Sequence, residues 1–114
     1  MSNDDDLMRM RLGALDSIDA LNKDIYDDSD WKMGVLWFSA LAPTSRTGHA
    51  ERHGVVYTTE EARLFYSKND NPKNCLCSLS PTLVNVKTGE VLQTELVEKM
   101  LFAKKTFMKS VLIE

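Results

Sequence analysis

Two cysteines, two histidines, three prolines and five glycines among 114 residues give this chain few special groups. Each scarcity excludes something. Two cysteines with one residue between them, Cys75 and Cys77, cannot build a disulfide framework. The small ring that would join them is strained, so metal binding or plain burial are the roles open to them. No apolar run reaches the roughly 20 residues that cross a bilayer, and no membrane partner is expected. The start is acidic and carries no apolar leader, so a cytosolic setting is expected. Positive charge is also short: the formal net charge is -3, and nucleic acid is not an expected partner. Neither a glycine-rich phosphate loop nor a basic-aromatic alternation is present.

What is present fits one compact domain with a modest core, at 43% hydrophobic residues. Charge is unevenly placed. Asp4, Asp5, Asp6, Asp16, Asp19, Asp24, Asp27, Asp28 and Asp30 crowd the first thirty residues, and Lys99, Lys104, Lys105 and Lys109 crowd the end. Such asymmetry points to contact between the ends or with a charged neighbour.

Apolar spacing predicts a helix over 4–26, with Met8, Leu12, Leu15, Ile18, Leu21 and Ile25 as its stripe. Gly13 weakens it by about 1 kcal/mol relative to alanine. The segment 33–41 reads as a strand buried on both faces, stopped by Pro43-Thr44-Ser45. Short strands are predicted at 55–57, 75–79, 82–86 and 91–92, with Pro81 dividing the middle pair. Thr58-Thr59-Glu60-Glu61 matches a capping box opening a helix over 59–66. A last helix is predicted over 95–111, with Leu96, Met100, Ala103 and Phe107 on one face. Phe102 and Lys104 fit that face badly. Either a partner packs on a second side, or Lys104 snorkels and Phe102 is a surface residue. The sum is an α+β fold: a small, mostly antiparallel sheet with an N-terminal and a C-terminal helix packed on it.

All the imidazoles and thiols lie in the middle. His49 and His53 are four apart, which puts both on one face of a helical turn. Cys75 and Cys77 are two apart, which puts both on one side of a strand. Two nitrogens and two thiolates suit a tetrahedral zinc ion, with His49, His53, Cys75 and Cys77 as ligands. The alternative is two small buried cysteines and two histidines hydrogen-bonded within a loop. Arg46, Arg52 and Lys73 surround the region. They can anchor carboxylates or phosphates, or pair locally with Glu51, Glu60 or Glu61. Hydrolysis by a metal-bound water with Glu51 as base needs three protein ligands and an open position. No local signature marks Cys75 or Cys77 as a nucleophile, and a non-enzymatic protein is expected.

Several of these residues also form a pattern. Thr44-Ser45-Arg46-Thr47-Gly48-His49-Ala50 is followed by Arg52-His53-Gly54, Tyr57-Thr58 and Glu61-Ala62-Arg63-Leu64-Phe65-Tyr66. Asn74-Cys75-Leu76-Cys77-Ser78 and Leu83-Val84 through Gly89-Glu90 come next. In this order the stretch from Trp37 to Val86 resembles the C-terminal domain of the Mu F-like minor head, or head morphogenesis, proteins of tailed bacteriophages. The resemblance divides the chain into an acidic helix and loop over 1–30 and a Mu F-like domain over 31–114. It implies a virion-associated protein that binds phage portal or capsid proteins, found in the virion or the host cytoplasm. Some relatives carry another cysteine or histidine where Pro72-Lys73 stands here. The other reading is a short phage effector that blocks a host defence protein. In that reading the acidic helix imitates nucleic-acid charge. Candidate partner-binding residues are Asp4, Asp5, Asp6, Asp16, Asp19, Phe102 and Lys104.

Overall fold

A computed structural model describes residues 3–42, 45–68 and 70–112. The strand terminator expected at Pro43-Thr44 lies outside the described residues. The chain runs α1 (Asn3–Asp24), β1 (Trp31–Phe38), α2 (Thr47–Ala50), β2 (Val56–Tyr57), α3 (Thr59–Tyr66), β3 (Ser78–Asn85) and α4 (Thr94–Leu112). The fold is α+β, with three antiparallel strands in the order β2-β1-β3.

The sheet is built around β1, whose residues Gly34 to Trp37 are all buried. Alternation along the strand turns Met33, Val35 and Trp37 toward α1 and α3. There they meet Leu15 and Ile18 of α1 and Ala62, Phe65 and Tyr66 of α3. Trp37 is the centre of this layer. Its ring stacks on Tyr66 at 5.4 Å and meets the edges of Phe65 and Tyr57 at 5.1 and 5.5 Å. Burying so large a ring contributes about 1.5–3 kcal/mol, and each aromatic pair adds about 0.5–1.5 kcal/mol.

Helix α1 buries a narrower and more polar face than its apolar stripe predicts. Leu15 and Ile18 are in the core, whereas Leu12 is 43% exposed and Ile25 lies beyond the helix end, also exposed. Arg11, at 4% exposure, takes the inward place instead. Its charge is satisfied by backbone groups that no spacing rule along α1 reveals.

The two strands expected at 75–79 and 82–86 are one strand. Ser78–Asn85 pairs with β1 without a break, and Pro81 stands opposite Val35. Proline lacks an N–H, but β3 is the outer strand of the sheet, where an absent donor need not break the ladder. Cys75 and Cys77 therefore precede the strand rather than belong to it. The expected return pairing at 91–92 is a single bridge between Val84 and Val91, extended by Leu92 N–H to the Leu83 carbonyl at 3.0 Å. Helix α3 opens on the expected capping box. Thr58 Oγ1 accepts from Glu61 N at 3.0 Å, and Thr58 N donates to Glu61 Oε1 at 2.9 Å.

Helix α4 rests on the turn before β2. Met100 is buried, Val97, Lys104, Phe107 and Met108 are half-buried, and Leu96 and Ala103 face outward. The face is thus rotated from the expected Leu96–Ala103 line. Gly54 (φ +79°) lets the helix approach: a Cβ there would stand 3.1 Å from Met100 Cβ and from Leu101 Cδ2.

Candidate metal centre

Four parts of the chain bring three ligand atoms together. Helix α2 presents His49, buried, in its single turn. Arg46, the residue before that helix, reaches across to the loop that leads to the cysteines. Its guanidinium donates to the carbonyls of Asp70 (2.6 Å), Asn71 (3.1 Å) and Lys73 (2.6 Å). Asn74 then turns the chain through a left-handed conformation, φ +51°. From the other side Arg11 of α1 donates Nε to the Cys77 carbonyl at 3.0 Å and a terminal nitrogen to the Cys75 carbonyl at 2.7 Å. The Cys-x-Cys segment is thus held by its backbone, which leaves both sulfurs to face inward.

His49 Nδ1 lies 3.3 Å from Cys75 Sγ and 3.6 Å from Cys77 Sγ. The three ligand atoms all lie within 4.8 Å of one another, and all three residues are buried. Tyr66 Oη sits 3.2 Å from Cys75 Sγ, and Cys77 N–H points to the same sulfur at 3.4 Å. His49 Nε2 is buried with no hydrogen-bond partner. A metal ion can be held here by His49, Cys75 and Cys77.

The electrostatics favour a charged Cys75. The neighbouring Cys77 thiol donates to it and holds its pKa down, against burial and with help from Tyr66 and Arg11. The same shared proton, together with burial, pushes Cys77 up. Burial keeps His49 below its ordinary value and therefore neutral, the form that binds a metal. Tyr66 is pushed up by burial and by its bond to Cys75, so its hydroxyl stays a donor.

His53 stands apart from this group. Helix α2 ends at Ala50, so the four-residue spacing does not place both imidazoles on one helical face. Its Nδ1 accepts from Ser39 N–H at 2.9 Å, and its ring meets Phe38 edge-on at 6.2 Å. Burial and the nearby Lys104 hold its pKa down.

The surrounding cations are used inside the fold rather than on Glu51, Glu60 or Glu61. Arg52 lies 3.8 Å over the Phe65 ring and donates to the Gly48 carbonyl, and Lys73 faces Asp70 at 3.5 Å. Of the candidate partner-binding residues, Asp16 and Asp19 both meet Arg63 of α3, at 2.8 and 2.7 Å. Asp19 also accepts from Thr59 Oγ1 at 2.6 Å, which holds its carboxyl below the usual range. Asp6 pairs with Arg9, Asp4 accepts from Asn74 N–H, and Asp5 is exposed. Lys104 Nζ donates to the Glu51 carbonyl at 2.9 Å, the snorkelling arrangement, while Phe102 is 71% exposed.

Arg11 is the site residue that sequence reasoning misses. The only local signal is a charge at an inward position of the α1 stripe, three residues before Ala14 and four before Leu15. No family model, curated protein or solved structure matches this chain. No described helix is long and apolar enough to cross a membrane.

Proposed function

We propose that this chain is a small phage assembly protein of the minor-head kind, non-enzymatic and acting by binding portal or capsid proteins, with its centre organised by a zinc ion. The observation that carries the zinc reading is the geometry of His49, Cys75 and Cys77. Bonds of about 2.3 Å to sulfur and about 2.0 Å to nitrogen, at the tetrahedral angle, set each S···N edge at about 3.5 Å. The two such distances here are 3.3 and 3.6 Å. Two thiolates with one imidazole select a borderline-soft ion rather than magnesium or calcium. The phage role is supported by the ordered motifs from Trp37 to Val86, which resemble the Mu F-like domain.

The test is in two parts. Metal-free protein titrated with zinc against a chromophoric chelator is expected to bind one ion per chain. Cys75→Ser, Cys77→Ser and His49→Ala are expected to lose it, and His53→Asn to keep it. A chain that takes up no zinc overturns the centre. Affinity purification from infected cells, with mass spectrometry of purified virions, tests the role. Recovery with portal and capsid proteins supports it. Recovery with a host defence complex, and absence from virions, replaces it with the effector reading.

A further inference from the structure

The zinc reading leaves one coordination position to be assigned, and we propose that it takes a water molecule or one small anion, entering from a polar cavity beside Cys77. This inference rests on the metal reading. Three protein ligands converge, and tetrahedral zinc requires a fourth. Among the described residues no further histidine, cysteine, aspartate or glutamate joins the group. His53 is the nearest candidate by sequence, but its Nδ1 is already committed to Ser39 N–H.

A cavity of about 30 Å³ adjoins two of the three ligands. Its walls include His49, Cys77, Ser39, Ser45, Arg46 and Asn74. That volume suits a water or two, or one compact anion of a few atoms, and not a side chain. The lining is rich in donors. Ser39 Oγ accepts from Leu41 N–H at 3.1 Å and Ser45 Oγ from Ala42 N–H at 2.9 Å, so each hydroxyl has its hydrogen left to donate. Arg46 is among the lining residues, its guanidinium bound to the carbonyls of Asp70, Asn71 and Lys73, and no carboxylate lines the cavity. Hydroxyl donors beside the metal, with no carboxylate among them, stabilise hydroxide or a compact anion there. The centre is then exchangeable at one position, unlike a closed four-ligand structural site.

The experiment uses the full chain loaded with cobalt(II), whose visible bands report coordination, and azide as the probe anion. Azide is expected to shift the bands saturably. Ser45→Ala and Ser39→Ala are each expected to weaken azide about fivefold or more while cobalt affinity stays the same. His53→Asn is expected to leave the cobalt spectrum unchanged. If cobalt binds but the spectrum ignores azide, or if His53→Asn alters it, the open position is disproved and the zinc reading stands. An azide response that both serine variants retain in full disproves the cavity as its seat. Failure to bind cobalt or zinc at all overturns both readings. Should either serine variant not fold, the wild-type azide titration decides alone.

Discussion

Arg11 and His53 show how single residues act against their type. Arg11 is a charged side chain held at 4% exposure, with the Tyr66 ring 4.8 Å away and two carbonyls as its acceptors. Arg11→Met keeps most of the volume and strands both acceptors, at about 1 to 3 kcal/mol for each. Urea unfolding of the metal-free variant is expected to show that loss, and a midpoint equal to wild type would mean that the clamp is idle. His53 is buried neutral, and its Nδ1 must stay unprotonated to accept from Ser39. Its folded pKa lies below the ordinary 6.5, so the unfolded chain takes up the proton first as pH falls. Stability is full above about 6.5 and declines below it. His53→Asn, which keeps an acceptor without the titration, is expected to flatten part of that decline between pH 6.5 and 5. An unchanged pH profile by denaturant unfolding would show that His53 contributes nothing to it.

Among the elements, β1 and α3 form for local reasons, whereas the seating of α4 is set by a distant one. A run of apolar residues makes β1, and a complete capping box starts α3. Helix α4 settles where Gly54 leaves room and where Lys104 reaches the Glu51 carbonyl. Gly54→Ala forces a left-handed conformation on a residue with a Cβ and drives that Cβ against Met100 and Leu101. The expected cost is about 1 to 3 kcal/mol. Hydrogen exchange should show faster opening of α4 than of β1 in the variant. Equal change in both would mean that the helix is not seated through this turn.

The whole molecule is thin, with extents of 48 × 36 × 17 Å. So short a third axis leaves room for a limited core. In so slight a domain a bound ion is a large share of the stability. At free zinc a hundredfold above Kd, binding adds about 2.7 kcal/mol. For a chain of this size that is about 10 °C or more in Tm. Chelation is expected to lower Tm by such an amount in wild type and to do nothing to Cys77→Ser. An equal effect on both proteins would place the metal elsewhere.

The α+β class, the span of each long helix, the buried run of β1 and the cap of α3 are all determined by the sequence. Each depends on residues within a few positions of one another, and periodicity and capping report such neighbours. The pooling of histidine and cysteine in the middle is visible there too. Which of them meet was decided by the tertiary structure. His49 joins Cys75 and Cys77 because Arg46 and Arg11 grip the intervening backbone from two directions, across separations of up to 66 residues. His53 is turned away because α2 stops after Ala50 and Ser39 supplies its partner. Pro81 divides nothing because its strand lies at the sheet's edge, a position that only the assembled sheet assigns.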